Sequence, residues 1–307
     1  MVRYAIGIDI GRTNLRAVMM DSRGKVIESI KEPTNVSGDY DSVVKQSASV
    51  AKRISDNIDV KAMGIGIAGQ CDITQGVVLY GPNLFWPDVP FRDELFNQLE
   101  IPIILRNDVM MATMGEWRLG AGKGCRDMVA LFVGTGIGGG AVVNGVLLEG
   151  SSGCGGHLGH ISVHLDGPIC GCGRRGCVEA YASGLGLASR AIVDPDLQNS
   201  LLSDVEIDGM AVAVAVERGD TLAIRLRDEA ARALGSAMGS IINCFEPQKM
   251  ILGGSVMNMT GLYDMSVDEA LKTCLPSHRE VNIVHSSLGE MAGAIGAALF
   301  ALDYDEN

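Results

Sequence analysis

The sequence predicts an α/β protein made of two related, glycine-rich lobes. A chain of 307 residues is long enough for two domains of roughly 150 residues each. Apolar strand-like runs alternate with helical patterns, which favours α/β architecture over separate all-α and all-β domains. One local plan, a strand, a glycine-threonine turn and a second strand, begins near residue 4 and again near residue 128. We therefore expect lobes over residues 1–118 and 119–307, with the last helix, about 289–303, able to pack back on the first lobe.

The composition restricts the classes of partner. With 47% hydrophobic and 20% charged residues, the chain has enough apolar side chains for a folded core. A net charge of -12 argues against a nucleic-acid partner and against an anionic membrane surface, since both are bound by surplus Lys and Arg.

Targeting signals are missing from the start of the printed sequence. Residues 1–9 show no basic region followed by an apolar stretch, so we expect a cytoplasmic protein. Residues 128–148 are uncharged and long enough to cross a bilayer, but they contain six glycines and an Asn-Gly pair that disfavour a continuous helix. Eight cysteines in such a protein are not expected to form a disulfide framework.

Glycine turns follow several of the predicted strands. Backbone N–H groups in such turns can approach a phosphate closely, and a Thr hydroxyl adds a donor. Neither a P-loop nor a dinucleotide fingerprint is present, so phosphates would be held between the lobes. The candidate phosphate-binding residues are Gly11, Arg12 and Thr13, then Gly134, Thr135 and Gly136, then Gly253 and Gly254.

A polar pair ends the predicted strand over residues 102–105. Asn107 and Asp108 follow it, at the carboxyl end where open α/β sheets usually carry their chemistry. Asp108 could accept the proton of a sugar hydroxyl that attacks a γ-phosphate, and Asn107 could hold an adjacent hydroxyl. The same pair is also typical of a turn or helix cap, so both interpretations stand.

Four potential soft-metal ligands lie close together in a glycine-rich segment. His160, Cys170, Cys172 and Cys177 have the spacing H-x9-C-x-C-x4-C, which fits a closed, tetrahedral, structural zinc site. A catalytic zinc is disfavoured because no position would remain for water. The alternative is a group of buried free thiols.

Residues 4–303 resemble the ROK family of sugar kinases and sugar-responsive repressors. The resemblance rests on residues 9–14, similar to the family's first phosphate loop, and on residues 134–140, similar to its second. His160 with the CGCGRRGC segment over residues 170–177, followed by residues 178–180, resembles the family's zinc signature.

The resemblance implies a two-lobed fold of the actin and hexokinase type, also called ribonuclease H-like. It implies Mg²⁺-ATP as phosphoryl donor, Asp108 as catalytic base, cation coordination near Asp9, a structural Zn²⁺ and a homodimer or homotetramer. The residues that it implies as sugar contacts are Asn83, Asn107, His160 and Glu179, with His160 serving zinc through its other ring nitrogen.

The sequence departs from the family pattern at three positions. Arg12 replaces a usual glycine and Asn14 a usual lysine, although Arg12 could itself reach a phosphate. His157 stands where most glucose-type members carry a Glu that binds sugar hydroxyls. An imidazole suits an acetamido carbonyl better than a plain hydroxyl.

The segment from His157 to His160 with Asp166, Gly167 and Pro168 resembles the bacterial N-acetylmannosamine kinase subgroup. We therefore expect phosphorylation of the 6-hydroxyl of N-acetylmannosamine, with His157 in the sugar site. The alternatives are a glucokinase or broad hexokinase in which position 157 has changed neutrally, and a non-catalytic sugar sensor. Repressors of the family carry a DNA-binding module before the first phosphate loop, and that loop begins within a dozen residues of Met1.

Overall fold

The structure is a computed structural model that describes residues 2–36, 39–56, 58–81 and 86–304. The chain divides into two units. Unit 1 comprises Met1–Gly124, Leu147–Gly156 and Ser286–Asn307, and unit 2 comprises Cys125–Val146 and His157–His285. Neither unit is continuous in sequence. None of the helices in the described residues has both the length and the apolar character needed to span a bilayer.

Unit 1 is built on a five-stranded sheet of order β3-β2-β1-β4-β8. β1 pairs antiparallel with β2 and parallel with β4, so this sheet is mixed. A second sheet has the order β5-β6-β7. The elements are β1 (Tyr4–Ile10), β2 (Asn14–Asp21), β3 (Val26–Pro33), α1 (Tyr40–Ser55), β4 (Met63–Ile67), β5 (Gln70–Asp72), β6 (Val77–Gly81), β7 (Trp86–Val89), α2 (Phe91–Leu99), β8 (Ile103–Asn107) and α3 (Asp108–Arg118).

Unit 2 repeats this plan with a sheet of order β11-β10-β9-β12-β13. β9 pairs antiparallel with β10 and parallel with β12, as β1 does with its two neighbours. The elements are β9 (Met128–Val133), β10 (Ile137–Val143), β11 (Val146–Leu147), α4 (Val178–Ala182), α5 (Gly184–Ile192), α6 (Gly209–Glu217), α7 (Thr221–Phe245), β12 (Lys249–Gly253), α8 (Leu262–Thr273) and β13 (Asn282–His285), with short 3₁₀ helices at Leu158–His160, Leu197–Asn199, Ser255–Asn258 and Pro276–His278.

The last helix, α9 (Ala292–Asp303), follows a 3₁₀ turn at Gly289–Met291 and belongs to unit 1. It packs so closely on the sheet that a Cβ on Gly64 of β4 would lie 2.0 Å from the carbonyl oxygen of Ala297. A Cβ on Gly7 of β1 would likewise lie 2.0 Å from the carbonyl oxygen of Ala294. These two glycines are therefore required by backbone-to-backbone contact, because no side chain could move aside.

One charged side chain is fully buried where α3 ends. Glu116 has 0% exposure, and both of its carboxylate oxygens accept hydrogen bonds. Oε1 accepts from Ser286 Oγ at 2.6 Å and from the Leu288 amide at 2.8 Å, while Oε2 accepts from the Ala121 amide at 2.8 Å. Ser287 adds its amide, 3.0 Å from Oε1. Glu116 thus ties the end of α3 to the segment that leads into α9.

The structure contains most of the helices and strands that the sequence predicts, with shifts at their boundaries. The predicted strand over residues 102–105 continues to Asn107, and the turn at Asn144 and Gly145 has positive φ at both residues, as a tight hairpin requires. Gly, Pro and Trp residues over residues 81–90 are typical of a loop, but this segment includes β7, which pairs with β6. Pro87 lies in this strand at the edge of its sheet, the place where proline is tolerated.

Candidate active site

Asp108 lies at the junction between β8 and α3. Asn107 caps α3, because its Oδ1 accepts hydrogen bonds from the amides of Val109 at 2.9 Å and Met110 at 3.2 Å. Its Nδ2 donates to the carbonyl of Gly69 at 2.9 Å. The cap interpretation of Asn107 is therefore correct, and it fixes Asp108 as the first residue of the helix.

Two carboxylates of unit 1 are electrostatically linked. Burial raises the pKa of Asp108 to about 6, although hydrogen bonds from the Val109 amide and the Asn107 side chain oppose the shift. Burial, followed by the charge of Asp108, raises the pKa of Asp9 to about 7. A carboxylate whose pKa is raised toward neutrality is a stronger proton acceptor, which is the property that a general base needs.

The first candidate phosphate loop joins β1 to β2. The Gly11 amide donates to the carbonyl of Asn14 at 3.1 Å, and Thr34 Oγ1 donates to the carbonyl of Gly11 at 2.7 Å. Arg12 and Thr13 are exposed. Arg12 does not have positive φ, so a side chain replaces the usual glycine without backbone strain.

The second candidate phosphate loop joins β9 to β10 in unit 2. The Gly134 amide donates to the carbonyl of Gly136 at 2.9 Å, and Thr135 between them is exposed. Gly253 ends β12, and Gly254 has φ of +93°. A Cβ on Gly254 would lie 2.3 Å from the carbonyl of Val133, the last residue of β9. The three glycine segments of the sequence thus follow β1, β9 and β12.

The structure brings His160, Cys170, Cys172 and Cys177 together. One potential ligand atom from each lies within 4.8 Å of the others. His160 Nδ1 is 3.6 Å from Cys170 Sγ, and the sulfurs of Cys172 and Cys177 are 3.7 Å apart. In a tetrahedral site with Zn–S bonds of about 2.3 Å, two sulfurs are about 3.8 Å apart. The four side chains therefore fit zinc.

Glu179 and His157 lie beside this cluster in unit 2. Glu179 Oε1 is 3.8 Å from His160 Nδ1, and its Oε2 accepts from the Ile137 amide at 2.8 Å. The rings of His157 and His160 are 6.2 Å apart. Partial burial, with a contribution from His160, lowers the pKa of His157, which favours the neutral imidazole. Asn83, the remaining expected sugar contact, lies outside the described residues.

The family is decided by a match along nearly the whole chain. The model of the ROK family matches residues 5–304. The chain belongs to the ROK family.

Known ROK proteins of similar sequence include enzymes with different named substrates. The chain is 31% identical to a glucokinase of Streptomyces coelicolor over 98% of each chain. It is 33% identical to an N-acetylmannosamine kinase of Citrobacter koseri over 96% of this chain and 98% of that one. The ROK family glucokinase of Streptomyces griseus, solved with glucose and AMPPNP, superposes with a TM-score of 0.81 at 32% identity, covering 97% of this chain and 98% of that chain.

Sequence reasoning missed Arg16 in this ROK protein. Arg16 lies opposite Asp9 in the register of β1 and β2, with its Nη1 3.7 Å from Asp9 Oδ2. Glu290, before α9, accepts from Arg16 at 3.1 Å and from Lys31 at 2.6 Å. A hairpin register for residues 4–21 would have revealed the pairing of Asp9 with Arg16, but Glu290 is 274 residues away from Arg16 in sequence.

Proposed function

We propose that this ROK protein is an ATP-dependent sugar kinase that phosphorylates the 6-hydroxyl of N-acetylmannosamine, with Asp108 as its general base. The observation that carries the proposal is the position of Asp108, held at the first turn of α3 by the Asn107 cap, with its pKa raised to about 6. A partly buried carboxylate with that pKa accepts a proton near neutrality more readily than a fully exposed one with an ordinary pKa.

The proposed reaction transfers one phosphoryl group. Asp108 accepts the proton of the sugar hydroxyl as its oxygen forms a bond to the γ-phosphorus, and the bond between that phosphorus and the β–γ bridging oxygen breaks to release ADP. The exposed turns at residues 11–13 and 134–136 are proposed to donate N–H groups to the phosphates, with Gly253 and Gly254 as further nucleotide contacts. Mg²⁺ bound with ATP would neutralise phosphate charge, and Asp9 is the residue proposed to hold it.

His157 supports the choice of an N-acetylated sugar. A neutral imidazole can donate a hydrogen bond to an acetamido carbonyl, and the lowered pKa of His157 favours that neutral form. His160, Glu179, Asn107 and Asn83 are proposed as further sugar contacts. The alternative acceptor is glucose, which the similarity to the Streptomyces coelicolor glucokinase supports.

A sugar panel tests the function and the acceptor together. ADP release should be measured with N-acetylmannosamine, N-acetylglucosamine, mannose and glucose at matched concentrations. The proposal expects the highest kcat/KM for N-acetylmannosamine. A clear preference for glucose would identify glucose as the acceptor. An absence of ADP release with every sugar would contradict the kinase proposal and favour a sugar sensor. His157→Glu should shift the preference toward glucose.

The pH dependence of kcat/KM should follow the acid pair. Because a base must be deprotonated to act, activity is lost as pH falls through the raised pKa values of about 6 for Asp108 and about 7 for Asp9. The two carboxyls interact, so the fall in kcat/KM at acidic pH reports apparent pKa values of the pair and not the pKa of either residue alone. We expect kcat/KM to fall about tenfold or more per pH unit below pH 6. A profile that stays flat from pH 5 to 8 would contradict this assignment.

The Cys/His cluster is proposed to hold one structural zinc ion. His160 would bind through Nδ1, the nitrogen that faces Cys170, which leaves Nε2 for the sugar. We expect purified protein to contain about one equivalent of zinc, and Cys172→Ser to lose it. Elemental analysis and chelator titration measure both. Cys244→Ser is a matched control, because Cys244 is likewise exposed but lies outside the cluster.

We also propose that the protein forms a homo-oligomer. A homodimer or homotetramer is expected from the family, and light scattering on zinc-loaded protein measures the mass directly.

A further inference from the structure

The second phosphate loop is bound to the helical segment that follows the Cys/His cluster. The amide of Gly184, the first residue of α5, donates to the carbonyl of Gly134 at 2.8 Å. The Leu185 amide donates to the carbonyl of Thr135 at 3.2 Å. The conformation of residues 134–136 therefore depends on the position of α4 and α5.

Glu179 of α4 contacts the loop and the cluster with different oxygens. Its Oε2 accepts from the Ile137 amide at 2.8 Å, one residue after the loop. A Cβ on Gly136 would lie 2.7 Å from the same oxygen, so the loop packs directly on the carboxylate. Its Oε1 is 3.4 Å from Cys170 Sγ and 3.8 Å from His160 Nδ1.

The covalent chain supplies a second connection. Cys177 immediately precedes α4, and its side chain makes no capping hydrogen bond to that helix. A metal ion that captures Cys177 would therefore fix the start of a helix of only five residues, two positions before Glu179. Such a short helix has little stability of its own and takes its position from what holds its ends.

We propose that Glu179 is a positioning residue that couples the Cys/His cluster to the second phosphate loop, so that zinc in the cluster orders residues 134–137. Loss of zinc releases the start of α4, Glu179 no longer holds the Ile137 amide, and the loop N–H groups lose their orientation. The effect on nucleotide rests on the proposed function, whereas the effect on the loop does not.

Hydrogen–deuterium exchange of the peptide over residues 134–140 tests the coupling without catalysis or sugar. In the wild-type chain, zinc removal should speed exchange at Ile137 about tenfold or more, the fold-change expected when a protecting hydrogen bond opens. Glu179→Ala should show the fast exchange with zinc present, and zinc removal should then add nothing. Glu179→Gln retains an acceptor oxygen and should stay close to wild type when loaded. Glu217→Ala, an exposed residue of α6, should respond to zinc as the wild type does.

Three results would overturn the coupling. The first is unchanged exchange at Ile137 after zinc has been removed from wild-type protein, and the second is a failure of the cluster to take up zinc at all. The third is an effect of zinc removal in Glu179→Ala as large as in the wild type, since the two perturbations would then act independently.

Binding of AMPPNP without sugar, measured by calorimetry, separates this inference from the proposed function. If the coupling exists, the affinity for AMPPNP should fall about tenfold on zinc removal and in Glu179→Ala, which corresponds to roughly 1.4 kcal/mol of binding free energy. If no form binds AMPPNP, the kinase proposal fails while the exchange result still decides the coupling. If zinc-loaded protein binds AMPPNP but exchange over residues 134–140 does not depend on zinc, the coupling fails and the kinase proposal stands.

Discussion

Asp108→Asn is expected to lower kcat by about 10²- to 10⁴-fold, the usual contribution of a positioned general base. The amide keeps the shape of the side chain but has no basic oxygen for the sugar proton. Binding of N-acetylmannosamine should change little, because the hydrogen-bonding atoms that face a hydroxyl are retained. Steady-state kinetics give kcat, and calorimetry gives the sugar affinity. Normal turnover in this variant would remove Asp108 from the base role.

The same substitution should stabilise the fold at neutral pH. The pKa of Asp108 is raised in the folded state, so the folded protein binds this proton more tightly than the unfolded chain does. Stability from this group is complete below its unfolded pKa and is lost as pH rises through about 6. An uncharged Asn avoids that loss, and the Tm at pH 7.5 should rise. Asp204→Asn, at an exposed position, should leave both kcat and Tm unchanged.

Glu116→Ala is expected to lower the free energy of unfolding by about 3–5 kcal/mol, because several hydrogen bonds to one buried side chain are lost together. The carboxylate is fully buried, and its removal takes away hydrogen bonds that it accepts from the amides of Ala121, Ser287 and Leu288. A hydrogen bond to a carboxylate contributes about 1.5–3 kcal/mol, and several are lost together here. Thermal unfolding should show a Tm lower by roughly 10 °C.

Two variants calibrate the Glu116 result. Ser286→Ala removes a single hydroxyl donor and should cost about 1 kcal/mol. Glu28→Ala, on the exposed face of β3, should leave the Tm unchanged. A Tm for Glu116→Ala within a degree of the wild type would show that the segment before α9 is held by other contacts.

The sequence predicts those features of the fold that depend only on residues close together in the chain. The apolar spacing over residues 221–244 is typical of a helix, and this segment forms α7, with Asp220 immediately before it as the cap. The Cys/His cluster was also predictable, because His160 and Cys177 are close in sequence and the glycines between them allow a tight loop. Met110, Met111 and Met114 of α3 have the spacing of one helix face, and all three are buried.

Features that depend on distant partners could not be read from the sequence. Glu116 resembles any surface residue of a helix until residues 286–288 supply its donors. Gly64 and Gly7 read as flexible points within strands, whereas the structure uses them for contact with α9. β7 was missed because its proline and the neighbouring glycine signal a turn, while its pairing with β6 is set by the fold.

The late position of α9 in the chain has a consequence for biosynthesis. A ribosome makes β1 and β4 of unit 1 before unit 2, whereas the residues of α9 that cover Gly7 and Gly64 come after unit 2 in the chain. Unit 2 has its whole sequence available once His285 has left the exit tunnel, before Ser286–Asn307 can return to unit 1. Unit 1 therefore cannot be completed before unit 2 has been synthesised, and a nascent chain stopped before α9 would lack the helix that packs on Gly7 and Gly64.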